Sequence, residues 1–307
     1  MDFCKSAGSG SQPLVSVLVS AFQQPTFLNE ALQSVKAQTW KNLEIIVVDD
    51  ASGPEFTCQY QLSAGTKLLV HPHRRATAAI NRNTAIGAAR GKYLAFLDQD
   101  DLWVPEKLSW QVAIMEERPA AVLTFGHYRL VDAGGVPLET QHAPWVAGRD
   151  PFKQLIYRNI IHCPSQVMMR RSALDQTGGF DETIRGAADW DMWIRAAAAG
   201  PILSDTRVVA LYRKHAGQWS RQSLMMVNGA VRVMEKTACW APSVRPDLRG
   251  LLRRRTARWL RETARIQLTT AEQSSLAYST LLSAIRLWPG DPRAYCMLLR
   301  ARRAGKG

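Results

Sequence analysis

Three carboxylates stand within four positions of the stretch FLDQDDLW, residues 96–103: Asp98, Asp100 and Asp101. They follow directly on the apolar run Tyr93–Leu97. Clustered like charges repel one another and resist burial, so a packed strand ends this way only where a cation or a cationic environment meets the acids. Hard divalent cations such as Mg2+ and Mn2+ take carboxylate oxygens together with phosphate oxygens. A D-x-D turn at a strand end aims two carboxylates to one side, where one can hold a metal and the other a sugar hydroxyl. The same three letters also describe an ordinary solvated turn, because Asp is common in turns. A second acid pair, Asp49–Asp50, closes another apolar run, LEIIVV at 43–48.

The elements that must position these acids alternate between strand and helix. LVSVLVS (14–20), LEIIVV (43–48), KLLV (67–70) and KYLAFL (92–97) are short apolar runs with β-branched residues. Between them lie a helix opened by Pro25 with Leu28, Leu32 and Val35 on one face, and an Ala-rich helix over about 77–89. Pro105 opens a further helix carrying Leu108, Val112 and Met115. This order predicts an α/β fold, a mostly parallel sheet with helices on both faces, in which ligands bind at the carboxyl ends of the strands. Both acid pairs therefore face one crevice. Residues 121–132 and 136–139, joined through Gly134–Gly135, predict an antiparallel hairpin. RVVALYR (207–213) reads as a strand ending near His215, and from about 221 the pattern is helical.

Several segments occur in the order typical of family 2 glycosyltransferases. They are VSVLVSAFQQPTFLNEALQSVKAQTWKNLEIIVVDDAS, NRNTAIGAARGKYLAFLDQDDLWVPEKL, GGFDE, DWDMWIRAAAAG and LYRKH. The chain resembles that family over roughly residues 14–220. The resemblance implies a GT-A nucleotide-sugar-binding fold and an inverting transfer from a nucleotide-diphosphate sugar, expected to be UDP-linked, to a glycan or lipid-linked acceptor. It also implies a divalent metal, Mn2+ or Mg2+. Carried over by position, Asp49 and Asp50 hold the base and ribose, with Phe22 in the loop after the first strand beside them. Asp98 lies near the donor ribose or sugar, Asp100 binds the metal, and Arg82 meets the donor phosphates. Asp189 matches the catalytic base, and His215 completes the metal or diphosphate site. One base and one cation suffice for inversion without a covalent nucleophile, which suits a chain with no nucleophilic triad pattern.

Other residues near these motifs have less specific readings. Trp190 is a candidate sugar-stacking face on the acceptor side, and His162 and Ser165 are candidate acceptor contacts. Asp181 either serves as a loop acid or competes with Asp189 for the base role. Trp193 reads as core, Arg195 as a structural ion-pair partner, and Arg74 and Arg75 as solvated surface. The chain departs from the family's pattern in three places. Ala187–Ala188 replace the acid before the catalytic Asp, Ser20–Gln23 replace the proline and Thr-Tyr-Asn, and Ala85 replaces a glycine. The missing acid motivates the rival reading of a catalytically inactive nucleotide-sugar-fold module that binds or assembles with partners.

Composition constrains the remainder. Five scattered cysteines show neither metal nor redox spacing and read as reduced thiols, which points to the cytoplasm. No apolar run is long enough to span a bilayer. The formal net charge is +13, and eight arginines fall between Arg245 and Arg265. That run contains no nucleic-acid motif or aromatic platform, so nucleic acid is not an expected partner. Leu248, Leu252, Trp259 and Ile266 share one side of the helix, so it either lies on an anionic membrane surface at the inner face or packs on the domain with its arginines in water. The expected organisation is a flexible tail over 1–12, a glycosyltransferase domain over 13–220 and a basic helical region over 221–307.

Overall fold

The computed structural model describes residues 12–75, 77–141, 146, 148–269 and 274–304. Its first half runs β1 (Val15–Ala21), α1 (Pro25–Lys36), β2 (Leu43–Asp49), α2 (Pro54–Thr57), β3 (Lys67–Val70), α3 (Ala78–Ala88), β4 (Tyr93–Asp98), β5 (Leu102–Trp103) and α4 (Lys107–Glu117). There follow β6 (Leu123–Val131), β7 (Pro137–Gln141), α5 (Pro151–Tyr157), β8 (Val167–Arg170), α6 (Leu174–Thr177), α7 (Ala188–Ala199) and β9 (Ile202–Arg213). Four helices end the chain: α8 (Ser223–Val244), α9 (Arg249–Gln267), α10 (Ser274–Leu287) and α11 (Pro292–Ala304).

One sheet takes the order β3-β2-β1-β4-β8-β6-β9-β5, with β7 paired to β6. β3, β2, β1 and β4 run parallel, and β8 enters antiparallel between β4 and β6. The apolar runs of β1, β2 and β4 are continuous because the strands are covered on both faces. Their side chains divide by the two-residue period of a strand. Leu18, Ile46, Leu94 and Phe96 enter the core shared with α3 and α7. Val17, Val47, Ala95 and Leu97 enter the core shared with α1 and α4. Pro25 starts α1, and Thr77 caps α3 by accepting from Ala79 N. The expected hairpin forms between β6 and β7.

The helical region continues the main core across the expected boundary at 220. Val233 and Met234 of α8, Leu248, and Leu252 of α9 pack in the cluster that contains Trp190 and Trp193. A separate small core joins Ala264 of α9 to Ala277 and Leu281 of α10 and Ala294 and Ala301 of α11. The change of core thus falls within α9. Leu248 and Leu252 are each 1% exposed, and Trp259 is packed against the same cluster. The apolar side of α9 is therefore committed to the domain and cannot lie in a headgroup layer; Arg249, Arg253, Arg254, Arg258 and Arg265 face solvent. No helix among the described residues is long and apolar enough to cross a membrane.

Candidate active site

β1 lies between β2 and β4 in a register that pairs Ala21 with Asp49 and Ser20 with Asp98. The two acid-bearing strand ends thus flank the end of β1. A cavity of about 500 Å3 opens there. Phe22, Asp50, Arg82, Asp98, Asp100, His162, Asp189 and His215 all line it. Asp49, Asp181 and Trp190 do not.

Arg82 projects from α3 and pairs with Asp98 at 2.6 Å. Burial works against the Arg82 charge, but the charges of Asp98 and Asp189 outweigh it and hold the guanidinium above its ordinary pKa. Asp100 Oδ2 lies 2.9 Å from His215 Nε2. The His215 ring rests against Phe27, with centroids 5.0 Å apart. No group of three or more His, Cys, Asp or Glu among the described residues is arranged to hold a metal by itself. The donor set of one carboxylate and one imidazole fits an ion such as Mg2+ or Mn2+ that also takes phosphate oxygens, and does not fit a closed structural site.

Asp189 sits in the first turn of α7 and lines the cavity. Burial pushes its carboxyl up to about 6, with Arg82 pulling the other way. A base with that pKa is free of its proton at neutral pH yet basic enough to accept one. His162 also lines the cavity, its ring tilted against Tyr128 with centroids 5.2 Å apart. Burial, with the charges of Arg158 and Lys214, lowers its pKa, so it is neutral at pH 7.

The turn between β4 and β5 is braced from beneath by residues whose part the sequence did not disclose. Asp101 is fully buried and accepts from Ser165 Oγ at 2.6 Å and from Arg213 N at 3.2 Å. Burial and the charges of Asp100 and Asp98 raise its pKa well above the ordinary carboxylate range. Ser165, expected at the acceptor, instead joins this acid to the turn by accepting from Asp98 N at 3.1 Å. Arg213 is fully buried and donates through Nε to Asp100 O at 2.9 Å and through a terminal nitrogen to Glu30. Gln99 points the other way, onto the backbone of Phe22. The one available signal was the third acid of the cluster, which had to be buried or paired.

Three expected site residues do other work. Asp49 turns inward and accepts from Ser52 N at 2.8 Å and Tyr60 OH at 2.6 Å, fixing the loop that carries Asp50. Trp190 is 3% exposed; it donates from Nε1 to Leu155 O at 2.8 Å and meets Trp259 edge-on, so it is core and not a sugar platform. Asp181 pairs with Lys236 of α8 at 2.7 Å, and Lys236 also holds Asp191 at 2.9 Å. Burial raises the Asp181 pKa, but Lys236 and Thr183 bring it down to about 2. Trp193 is core and Arg195 pairs with Asp191, as expected. Arg74 is exposed yet borders the cavity, its guanidinium 4.1 Å from the centre of the Phe22 ring.

Comparison with known proteins gives this geometry a lineage. The chain is 28% identical over 215 residues to an uncharacterized glycosyltransferase of Rickettsia bellii, covering 68% of this chain and 31% of that protein. It therefore spans about a third of that relative's length. It is 32% identical over 194 residues to the putative teichuronic acid biosynthesis glycosyltransferase TuaG of Bacillus subtilis, covering 62% of this chain and 74% of TuaG. Among solved structures, S. aureus TarS 1–349 in complex with UDP-GlcNAc superimposes with a TM-score of 0.63 at 16% identity, covering 95% of this chain and 88% of that one. The mannosyltransferase PcManGT of Pyrobaculum calidifontis, in complex with GDP-Man and Mn2+, gives a TM-score of 0.56 at 18% identity, covering 96% and 81%. Both likenesses show the GT-A fold. The family model described as glycosyl transferase family 2 matches residues 16–178, the part that runs from β1 through α6. The chain belongs to glycosyl transferase family 2.

Proposed function

We propose that the chain moves a sugar, with inversion, from a nucleotide-diphosphate sugar to a hydroxyl of a glycan or lipid-linked acceptor. The observation that carries this reading is the convergence of Asp50, Arg82, Asp98, Asp100, Asp189 and His215 in one cavity at the strand ends. UDP-linked donors are the first to test, because TarS is solved with UDP and with UDP-GlcNAc. The TuaG likeness supports an acceptor in polysaccharide synthesis.

In this mechanism Phe22 and Asp50 receive the nucleoside, and Arg82 and Asp98 orient the diphosphate and sugar. Asp189 takes the proton of the acceptor hydroxyl as its oxygen attacks the anomeric carbon, and the bonding pair of the broken C–O bond leaves with the diphosphate. Arg82 offsets part of the charge that develops there. Asp100 and His215 would hold a divalent cation, Mn2+ or Mg2+, which when bound neutralises the departing diphosphate. His162 contributes to the acceptor side as a neutral group.

We extend the proposal to location. The exposed arginines of α9 suit electrostatic contact with an anionic membrane at the cytoplasmic inner face, without insertion, because the apolar side of the helix is used internally. The transfer reading is tested by following release of the nucleoside diphosphate from a panel of nucleotide-sugars, with Mn2+ and with chelator, for the native chain and Asp189→Asn. Metal-dependent turnover lost in the variant supports it. Donor binding with no turnover by the native chain, across donors and acceptors, would make the protein a binding module.

A further inference from the structure

Arg255, on α9, is 6% exposed, and its Nε is buried without a hydrogen-bond partner. Its guanidinium lies 4.6 Å from the centre of the Tyr157 ring. That contact offsets part of the cost of burying the charge but supplies no acceptor. The surroundings are positive. A cavity of about 320 Å3 has Arg254, Arg255, Arg258 and Arg261 on its wall, with Trp288 beside them. A second cavity of about 420 Å3 shares Tyr157 and Leu251 with the first and adds Arg158. Asp291 and Asp150, the carboxylates that border the two cavities, are paired with Arg261 and Arg245. Burial, then the charges of Arg258 and Arg158, push the Arg255 pKa down to about 10, which still leaves it charged at neutral pH. A cation so placed is stabilised by an external oxyanion more than by any group the chain supplies there.

We propose that the cavity between α5, α9 and the turn after α10 binds a phosphoryl group, with Arg255 donating from its floor and Arg254 and Arg258 from its rim. Guanidinium groups match phosphate oxygens with paired donors, and several converging on one cavity suit phosphate better than a single carboxylate. The phosphoryl group can belong to a small soluble phosphate or to a lipid head. Leu251 and Ile160 border the adjoining cavity and give an apolar chain somewhere to lie. Arg158 stands four residues before His162 of the active-site cavity, a reach of no more than about 14 Å along the chain. The claim concerns binding only and does not rest on the transfer reaction.

The full chain is titrated calorimetrically with inorganic phosphate, and floated with vesicles of phosphatidylcholine with and without phosphatidic acid. Arg255→Met, the rim pair Arg254→Gln with Arg258→Gln, and a control outside α9, the exposed Arg118→Gln, are run beside it. Binding in either arm is expected, weakened roughly tenfold by Arg255→Met and several-fold by the rim pair, and little changed in the control. A response to phosphate identifies a soluble ligand, and a response confined to phosphatidic acid vesicles identifies a lipid head. Should Arg255→Met fail to fold, the rim pair carries the test, since both its residues face solvent. The proposal is overturned if neither probe binds, or if Arg118→Gln weakens binding as much as the cavity variants do, because the attraction is then diffuse charge.

Discussion

Gln99 holds both polar atoms of the Phe22 backbone: its Oε1 accepts from Phe22 N at 2.7 Å, and its Nε2 donates to Phe22 O at 3.0 Å. The middle residue of the D-x-D turn thereby fixes the loop after β1. The next residue, Gln23, has a φ of +48° and donates to Ser52 Oγ at 2.9 Å, which joins that loop to the one after β2. Gln99→Ala is expected to weaken UDP binding by roughly three- to tenfold and stability by about 1–2 kcal/mol. Calorimetric titration and denaturant melts measure the two. Unchanged UDP affinity would remove the Phe22 loop from the donor site.

Asp189 predicts opposite movements of activity and stability. Transfer should rise about tenfold per pH unit below pH 6 and level off above it, because only the carboxylate accepts a proton. The folded pKa, about 6, lies above the ordinary value of 3.8, so the folded chain binds this proton more tightly than the unfolded chain. The stability contributed by the protonated group is complete below the unfolded value and lost as pH rises through about 6, a change on the order of 2–3 kcal/mol. Asp189→Asn should therefore lower transfer by roughly two to four orders of magnitude while raising the melting temperature at pH 8 and leaving it nearly unchanged at pH 4. A melting temperature that falls at pH 8 would contradict this account of the carboxyl's surroundings.

Asp100→Ala should remove the enhancement of UDP affinity by Mn2+, a loss of about 10–100-fold, and leave metal-free UDP binding and the fold intact. His215→Ala should act in the same direction. If Mn2+ still tightens UDP binding in the Asp100 variant, the ion is held elsewhere.

Lys236 joins α8 to both the loop before α7 and α7 itself. Asp191 is 1% exposed, so Lys236→Met leaves it with Arg195 alone and should cost about 2–4 kcal/mol. Asp181→Asn should keep kcat within about threefold and cost under about 1 kcal/mol, since that pair is partly solvated. A large loss of kcat in Asp181→Asn, with the fold intact, would return it to candidacy as the base.

The strands and their terminal acids were legible because parallel strands buried on both faces leave continuous apolar runs, and charge at the end of such a run is conspicuous. Neighbouring residues were harder to separate. Asp49 and Asp50 are adjacent, but side chains alternate along a strand, so one faces the protein and the other the cavity. Asp189 and Trp190 are adjacent on a helix, where each step turns about 100°; the acid meets the cavity and the indole meets α5 and α9. The ties between distant segments left no trace in the sequence. Arg213 reaches Glu30 across 183 positions, and Lys236 reaches Asp181 across 55. The amphipathic reading of α9 correctly found its apolar side, but a pattern alone does not say whether protein or lipid covers it.

The division of core packing within α9 has an engineering consequence. Leu248 and Leu252 close the interior over Trp190 and Trp193, whereas α10 and α11 rest on a separate small cluster with the far end of α9. A chain stopped before Leu248 would expose the back of the helix that carries Asp189. The joint at which α10 and α11 could be exchanged for another module without disturbing the chemistry therefore lies after α9, some fifty residues beyond the end of the recognisable motifs near His215.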